Sequence, residues 1–413
     1  MNRSLALALA AACLCACDQP AAPAPAPAVV APATTPAGPF NKEVLATWSE
    51  RHFTWYVEAG KLAGEDVVLL SESLFDKDAE GKPVPKPATL TVFTKHGAAW
   101  DKSELTDPEG AVFHKAILVG DALLTISGAD PKDPEGRGRC KRWSHAADGT
   151  WSAQELWSQR WEGTTQRIRD LEIGDVDGDG QDEYVMATHD YGVVAVLELD
   201  GAVRELDPVP DIFVHEIEIG DIDGDGKAEF FATPSERNKA DASQHGEIVM
   251  YRFDGESYVR SVVDSGEGTH AKEILATDVD GDGKAELFGV MEAALGPDKT
   301  ILTPVQIRQY TLQPDGSFIS TVIASIQDKQ CRNLVAADFD HDGREELVAA
   351  AIKTGLYLID TQDGQSWTVS NFESQSAGFE HAANAEDADG DGNPELYVVS
   401  DDHKTLARYT WGG

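Results

Sequence analysis

From about residue 167 to its end, the chain alternates short apolar runs with turns rich in glycine and aspartate. Runs such as EYVMAT at 183–188, EFFATP at 229–234 and ELYVVS at 395–400 are rich in β-branched and aromatic residues. They are too short for typical helices and are bounded by turn residues, which predicts strands. Another short apolar run, such as LEIG at 171–174, precedes each acidic turn. The pattern therefore predicts an all-β chain in which acidic loops join paired strands.

The acidic turns are five copies of one loop, D-x-D-x-D-G-x-x-E. Their first aspartates stand at positions 175, 221, 278, 338 and 387, which gives a mean spacing of about 53 residues. A repeat of this length with about four strand-like runs is typical of a β-propeller, in which each repeat forms one four-stranded blade. We therefore predict a β-propeller.

The length of the chain predicts the number of blades. Residues 40–413 divide by the repeat into seven blades, with six as the alternative. Two blades without acidic loops are expected at about 40–165, and five with a loop between strands A and B at about 166–413. The last repeat is one strand short. A strand near RHFTWYVEA at 51–59 is expected to complete it and to close the ring, which removes exposed sheet edges.

The five loops carry oxygen ligands suited to a hard cation. Positions 1, 3 and 5 are aspartates, position 6 is a glycine that tolerates positive φ, position 7 offers a carbonyl, and position 9 is a glutamate. This density of carboxylates favours Ca²⁺ over Mg²⁺ or Zn²⁺. We predict up to five calcium ions, with these ligand residues: Asp175, Asp177, Asp179, Gln181, Glu183; Asp221, Asp223, Asp225, Lys227, Glu229; Asp278, Asp280, Asp282, Lys284, Glu286; Asp338, Asp340, Asp342, Arg344, Glu346; Asp387, Asp389, Asp391, Asn393, Glu395.

Two other calcium motifs are excluded. An EF-hand needs a glutamate at position 12 and flanking helices, whereas position 12 is here Met186, Ala232, Gly289, Ala349 or Val398. The calcium repeats of parallel β-helices need G-G-x-G-x-D runs, which this sequence lacks. An acidic surface turn without a metal is the alternative interpretation of each loop.

The strand–loop–strand units resemble the FG-GAP repeats of integrin α-subunit propellers. They resemble still more the bacterial repeat proteins known as FG-GAP or VCBS proteins. The resemblance extends from about residue 167 to the end and implies a calcium-binding β-propeller. Position 9 is glutamate where the integrin pattern favours aspartate, and the Phe-Gly and Gly-Ala-Pro elements are largely missing. An integrin-like partner is therefore not implied.

The N-terminus predicts export. Residues 1–16 contain an arginine, a short apolar run and small residues, which is typical of a signal peptide. LCAC at 14–17 resembles a bacterial lipobox and implies lipid on Cys17. Cys13 is a second candidate, and an ordinary secreted protein is the alternative. Residues 17–39 are then a lipidated Pro/Ala-rich tether. We predict a monomer of the bacterial cell envelope, on the periplasmic face or the cell surface, which is held to the membrane by its lipid alone.

The net charge of the chain indicates which partners are disfavoured. The formal charge is −38, from 72 acidic and 34 basic residues. Such a surface repels nucleic acid and anionic headgroups, so we predict no nucleic-acid partner.

Cys140 and Cys331 fall in predicted blades two and six, which are not neighbours. They are expected to be buried free thiols rather than a disulfide.

A possible ligand site lies at the starts of the innermost strands. Six residues before each first aspartate stand basic residues, two of which are followed by glutamates: Arg169, His215, Glu216, Lys272, Glu273, Arg332 and His381. Residues of the B–C loops join them, with His270 nearby: His189, Asp190, His245, Glu292, Asp402 and His403. This pattern predicts a polar rim at the channel mouth opposite the acidic loops. The rim either binds a ligand or is a hydrated rim whose charges satisfy one another.

The sequence favours a binding protein over an enzyme. No G-x-S-x-G, H-E-x-x-H or phosphate-loop motif is present. We predict a calcium-stabilised, non-catalytic propeller lipoprotein that presents a face to an envelope or extracellular protein or glycan. An envelope polysaccharide lyase or hydrolase with its site at the channel mouth is the alternative, and the fold does not choose between them.

Seven of the nine tryptophans precede the first loop. Core packing is expected for them, with sugar stacking as the alternative.

Overall fold

The structure is a computed structural model that describes residues 39–49, 53–97, 99–146, 148–162, 166–189, 191–236, 244–266, 268–374 and 380–412. Regular secondary structure within these ranges is β-strand. None of the described residues forms a helix of the length and apolarity needed to cross a membrane. Residues 1–38, with Cys13 and Cys17, lie outside the described part. The signal peptide, the lipidated cysteine and the tether therefore stay predictions.

The strands form seven four-stranded antiparallel sheets and two small hairpins. In chain order they are β1 Phe40–Thr47, β2 Phe53–Leu62, β3 Glu65–Ser73, β4 Phe75–Lys77, β5 Pro83–Pro85, β6 Ala88–His96, β7 Ala99–Asp107, β8 Val112–Val119, β9 Ala122–Gly128, β10 Gly138–His145, β11 Trp151–Gln159, β12 Ile168–Gly174, β13 Glu183–Thr188, β14 Val194–Leu197, β15 Val203–Leu206, β16 Ile212–Gly220, β17 Glu229–Glu236, β18 Ile248–Phe253, β19 Tyr258–Asp264, β20 Ala271–Thr277, β21 Glu286–Met291, β22 Ala294–Leu295, β23 Ile301–Thr303, β24 Val305–Leu312, β25 Phe318–Ile326, β26 Cys331–Ala337, β27 Glu346–Ala351, β28 Gly355–Thr361, β29 Trp367–Glu373, β30 Glu380–Glu386, β31 Glu395–Ser400 and β32 Thr405–Trp411.

Each four-stranded sheet is one blade of a propeller. In order from the innermost strand outward, the blades are β2-β3-β6-β7, β8-β9-β10-β11, β12-β13-β14-β15, β16-β17-β18-β19, β20-β21-β24-β25, β26-β27-β28-β29 and β30-β31-β32-β1. The innermost strands β2, β8, β12, β16, β20, β26 and β30 contact one another in sequence, and β30 returns to β2. The predicted all-β propeller of seven four-stranded blades is confirmed, and the alternative of six blades is wrong.

The ring is closed by an N-terminal strand, but not by the predicted one. β1 pairs with β32 from Phe40–Trp411 to Thr47–Thr405 and so becomes the outermost strand of blade 7. The strand near residues 51–59, which was expected in that role, is instead β2, the innermost strand of blade 1. Aromatic packing selects β1, because the Phe40 ring lies 4.8 Å from that of Phe372 and 5.1 Å from that of Trp411.

The core consists of seven apolar clusters, one between each pair of adjacent blades. Both faces of a blade are therefore covered. This explains why second strands such as ELVAAA at 346–351 are almost continuously apolar. Hydrophobic burial thus fixes each blade against its neighbours and holds the innermost strands around a central channel.

The tryptophans and cysteines of the first part of the chain belong largely to this core. Six of the seven early tryptophans pack in or against the clusters: Trp48, Trp100, Trp143, Trp151, Trp157 and Trp161. Trp55 is the exception and lies at the channel mouth. Cys140 and Cys331 are buried free thiols, in the clusters between blades 2 and 3 and between blades 5 and 6. Core packing accounts for these residues, except for Trp55.

Candidate functional site

The five acidic loops lie on one face of the propeller. Each joins the innermost strand of a blade to the second strand, in blades 3 to 7. We call them loops 1 to 5, after the first aspartates Asp175, Asp221, Asp278, Asp338 and Asp387. Blades 1 and 2 make the same connection with tight turns, at Ala63 and Gly64 and at Gly120 and Asp121.

Backbone hydrogen bonds orient the first carboxylate of each loop. In loop 1, Asp175 Oδ1 accepts from the backbone N–H groups of Gly178 and Asp179 at 2.7 and 3.1 Å, and Oδ2 accepts from Gly180 at 2.9 Å. Gly178 and Gly180 have φ angles of 76° and 89°, which a side chain would resist. Loops 2 and 5 repeat all three bonds. The chain therefore holds these carboxylates in place by itself.

The glutamate at position 9 is buried beneath the loop in four loops and is half-buried in loop 3, at Glu286. One oxygen of Glu346 accepts the backbone N–H of Phe339 at 2.8 Å, while its Oε1 has no hydrogen-bond partner among the described residues, although the residue is only 1% exposed. Burial, together with the charge of Asp340, raises the pKa of Glu346 to about 8. Burial also raises the pKa of Glu183 and that of Glu286 to about 7. A buried carboxylate oxygen without a donor is costly, and a cation at the loop would satisfy it.

The loop carboxylates converge closely enough to share an ion. In each loop, three or four of them offer oxygens within 4.8 Å of one another, and in loop 4 all four do so: Asp338, Asp340, Asp342 and Glu346. Oxygen ligands in a flexible loop suit Ca²⁺. At position 7 the backbone N–H of Gln181, Lys227, Lys284, Arg344 and Asn393 donates to the position-5 carboxylate. In a calcium loop of this kind, the residue at position 7 supplies its backbone carbonyl. All five loops could hold a metal ion.

Adjacent loops also contact one another around the face. Lys284 Nζ of loop 3 donates to the backbone carbonyl of Asp223 in loop 2 at 3.1 Å. His341 Nε2 of loop 4 lies 2.7 Å from Asn393 Oδ1 of loop 5. Lys61 of blade 1 donates to the carbonyl of Asp389 at 3.2 Å. The order of one loop is therefore coupled to that of the next blade.

A ring of β-bulges marks the opposite mouth of the channel. Near its start, every innermost strand shifts register against the second strand. A bulge inserts an extra residue and redirects its side chain. In β16, for example, His215 and Glu216 both donate their backbone N–H to Thr233 Oγ1, at 3.3 and 3.0 Å. We call the extra residues the bulge ring: Trp55, His114, Arg169, His215, Lys272, Arg332 and His381.

The bulge ring is strongly basic and largely buried. Lys272 Nζ lies 2.9 Å from His215 Nε2, and Arg169 Nη1 lies 3.1 Å from His114 Nδ1. The guanidinium of Arg169 also lies 5.6 Å from the ring centre of Trp55. Burial, then the neighbouring cations, lowers the pKa of His114 and that of His215 well below the usual range. Burial, then Arg332, does the same to the pKa of Lys272. Burial thus favours the neutral forms of these three side chains, and the guanidinium groups of Arg169 and Arg332 hold the positive charge in the described part of the ring.

Carboxylates line the channel below the bulge ring. Asp170, Glu216 and Glu273 follow the ring residues directly, and Glu58, Glu172 and Glu218 lie two positions further along their strands. Lys115 is bonded to Asp170 at 2.9 Å and to Glu172. These two carboxylates outweigh burial and raise the pKa of Lys115. Burial, then neighbouring carboxylates, raises the pKa values of Glu216, Glu218 and Glu273. Basic and acidic groups together line a cavity of about 280 Å³.

The structure brings together most of the predicted rim. Arg169, Lys272 and Arg332 line the cavity with Glu216 and Glu273. His270 Nε2 lies 3.8 Å from Glu292 Oε2 beside Arg332, and the ring centre of His189 lies 4.0 Å from that of Phe213. The backbone of His381 lies in β30, but its side chain is outside the described residues, as is all of Asp190.

Other members of the predicted rim lie elsewhere, and two ring members were missed. His245 lines a separate groove between blades 3 and 4, and Asp402 and His403 lie in the turn between β31 and β32. Trp55 and His114 belong to the bulge ring although sequence reasoning did not find them. Counting back from the acidic loops could not reach them, because blades 1 and 2 have no loops.

Comparison with known proteins identifies the repeat and the fold. A family model described as an FG-GAP-like repeat matches residues 221–289, which contain loops 2 and 3. A solved structure titled "Structure of Dos1 propeller" is similar with a TM-score of 0.53 and 12% identity, over 91% of this chain and 95% of that chain. At this identity the similarity concerns the fold alone. No curated protein gives a significant match. The chain is a seven-bladed β-propeller with FG-GAP-like repeats.

Proposed function

We propose that the protein is a calcium-stabilised, non-catalytic propeller lipoprotein of the bacterial cell envelope, and that it binds an envelope or extracellular protein or glycan at the channel mouth. The bulge ring carries this proposal. Seven bulges lie at equivalent positions around one mouth, each at the cost of local ladder bonding, and six of the seven bulge residues have described side chains. Bulges of this kind are frequent beside functional sites. Packing alone does not require basic or aromatic side chains at these seven positions.

The two faces have different roles in this proposal. Calcium at the acidic loops would stiffen the connection between the two inner strands of blades 3 to 7. The same innermost strands begin at the bulge ring, so that the position of each ring residue depends on the strand that the loop holds. A rigid scaffold beneath a binding surface reduces the entropy lost on association.

The ionisation of the mouth favours binding over acid–base catalysis. A general acid is most effective when its pKa lies near the working pH. Burial, then Lys272, lowers the pKa of His270 to about 2, and the pKa values of His114 and His215 are also strongly lowered. These imidazoles stay neutral at physiological pH and serve as hydrogen-bonding groups.

One observation favours the second candidate, a polysaccharide lyase or hydrolase. Lys272 has a lowered pKa, and Glu216 and Glu273 in the same cavity have raised ones. Opposed shifts of this kind in a cavity are typical of acid–base pairs. Release of sugar products from a uronate-containing polysaccharide by the wild type, lost in Lys272→Met, would establish this candidate in place of the first.

The envelope location rests on the sequence. A signal peptide, lipid on Cys17 and a Pro/Ala-rich tether would place the propeller at the end of a flexible arm. The surrounding negative surface would keep the rest of the molecule away from anionic headgroups.

A binding screen tests the proposal. The mature protein is applied to glycan and envelope-protein arrays, with calcium or with a chelator, beside Lys272→Met and Arg332→Met. These changes keep side-chain length and remove the amine of Lys272 or the guanidinium of Arg332. Lys102→Met, in the outermost strand of blade 1, is the control. We expect ligands retained by wild type and Lys102→Met and lost in the two mouth variants. Equal binding by all four proteins, or binding by none, would refute a role for the mouth.

A further inference from the structure

One position beside each acidic loop differs from blade to blade. It lies on the third strand, one residue beyond the last pair formed with the second strand. These pairs are Tyr184–Leu197, Phe230–Tyr251, Leu287–Tyr310, Leu347–Ile359 and Leu396–Tyr409. Directly opposed residues on neighbouring strands have Cβ atoms about 5 Å apart. The side chain at this position therefore stands beside the glutamate at position 9. From blade 3 to blade 7, the position holds Glu198, Arg252, Thr311, Asp360 and Thr410.

In loop 2 the position holds a cation of the protein itself. Arg252 Nη2 donates to Asp223 Oδ2 at 2.7 Å, and its Nε donates to Glu229 Oε1 at 2.8 Å. The guanidinium thus bridges positions 3 and 9 of the loop, two of the predicted calcium ligands. An arginine is always charged and matches carboxylate geometry in this way. The aspartates of loop 2 still converge, as do those of loops 3 and 5.

Loops 1 and 4 instead have a fifth carboxylate. Glu198 lines the cavity of about 300 Å³ that contains Asp177, Asp179 and Glu183 of loop 1. Arg204 lies 3.5 Å from Glu198, but among the described residues it forms no ion pair with a carboxylate of the loop 1 motif, in contrast to Arg252 in loop 2. Asp360 occupies the equivalent place beside Glu346 in loop 4, where the buried Oε1 of Glu346 has no partner among the described residues. Both loops therefore have an additional carboxylate next to their predicted ligands.

Loops 3 and 5 are intermediate, because a threonine at this position adds no charge. In loop 5, two cations reach the ligands from other positions. Arg408 Nη1 lies 3.3 Å from Glu395 Oε1, and Lys95 Nζ lies 3.3 Å from Asp389 Oδ2. Among the described residues, no lysine or arginine forms an ion pair with a carboxylate of the loop 3 motif.

The geometry points to graded calcium sites, in which Arg252 takes the place of calcium at loop 2, and Glu198 and Asp360 complete the tightest sites at loops 1 and 4. This inference rests on the proposed binding of calcium. It changes the predicted capacity from five ions to four. Charge count is one of the properties that set the affinity of calcium loops. The residue on the third strand, outside the repeat motif, would therefore decide which loops respond to low calcium.

Metal counting tests the inference on the mature protein. The protein is stripped with a chelator, dialysed against defined free Ca²⁺ and analysed for bound metal, and titration calorimetry gives the affinities. We expect four ions for the wild type and five for Arg252→Thr, which installs the residue found in blades 5 and 7. Arg252→Gln serves as a second variant should the threonine variant fail to fold. Asp360→Thr and Glu198→Thr should each weaken one site by about tenfold or more. Thr311→Ser is the control and should change neither number nor affinity.

The outcomes separate this inference from the calcium proposal on which it rests. Five equivalent ions on the wild type would overturn the inference and leave the calcium proposal intact. Four ions on both the wild type and the Arg252 variants would also overturn it, because the guanidinium would then not be what excludes the fifth ion. Absence of calcium from the wild type and from every variant would refute both.

Discussion

Removal of calcium should lower the stability of the whole ring. At each loop, several carboxylates crowd into a small space and repel one another by about 1 kcal/mol per pair at 4 Å even in a water-like dielectric. Calcium converts this repulsion into attraction at the connection between two inner strands. Contacts such as that of Lys284 with the carbonyl of Asp223 extend the effect from one blade to the next.

The size of the effect follows from linkage. A ligand that binds only the folded state stabilises it by about 2.7 kcal/mol when its concentration is a hundred times Kd. Four such sites contribute about 11 kcal/mol together. A ring of about 370 residues has an unfolding entropy near 0.8 kcal/mol per kelvin at the midpoint, so the melting temperature should fall by about 14 °C in chelator.

Calorimetry of the mature protein in calcium, in EGTA, and in EGTA with Mg²⁺ measures this shift. Mg²⁺ should restore little, because it requires near-ideal octahedral geometry and dehydrates reluctantly. Asp280→Ala removes one ligand of loop 3 and should reproduce about a quarter of the shift. Asp315→Asn, in a surface turn of the same blade, is the control and should leave the shift unchanged. Identical melting curves in calcium and EGTA would show that the loops are acidic turns, and the mechanism would fail.

Three further outcomes are expected. Burial raises the pKa of Glu58 from 4.5 to about 7, so its contribution to stability should fall as the pH rises from about 4.5 through 7, by at most about 3 kcal/mol. Other buried carboxyls with raised pKa values act in the same direction, so Glu58→Gln should reduce the slope of stability against pH in urea melts at stepped pH, and an unchanged slope would contradict the assignment. Phe40→Ala should lower the free energy of unfolding by about 2–3 kcal/mol, because a half-buried ring that closes blade 7 is lost. Val44 is 49% exposed on the same strand, so Val44→Ala should have little effect. Equal losses of stability in the two variants would argue against closure by aromatic packing. The wild type expressed in bacteria should partition into detergent and Cys17→Ser should not; a serine variant that stays with the membrane would disprove the lipid anchor.

The fold was predictable because its signals are local. The D-x-D-x-D-G-x-x-E loop with an apolar run on each side fits within about fifteen residues, and five copies give the period directly. The strand that closes the ring was not predictable in the same way. Phe40 becomes part of blade 7 only by pairing with Trp411 at the other end of the chain, and no pattern within β1 specifies that partner.

The candidate site was only half predictable, because its geometry depends on register. In six blades, the bulge residue stands five positions before the end of the innermost strand, as Arg169 does before Gly174. In blade 1 the interval from Trp55 to Leu62 is seven, because that strand is longer. When blade 2 is aligned with the other blades on its dipeptide Gly120–Asp121, the position six residues before the aspartate is Lys115. The bulge residue is the preceding residue, His114.

Arg252 shows how a register-dependent contact can change the chemistry of a local motif. Its loop satisfies the calcium pattern at every position, so the sequence motif assigns loop 2 the same function as loop 4. The two loops differ in a residue 23 positions after the motif glutamate in blade 4, which the pairing of β17 with β18 brings beside Glu229. Because a permanent cation at this point competes with any metal for the same two carboxylates, the motif predicts the shape of the loop and the paired strand decides what the loop binds. The count of acidic loops is therefore an upper limit to the number of ions, and the charge at the facing position of the third strand is the quantity that should order their affinities.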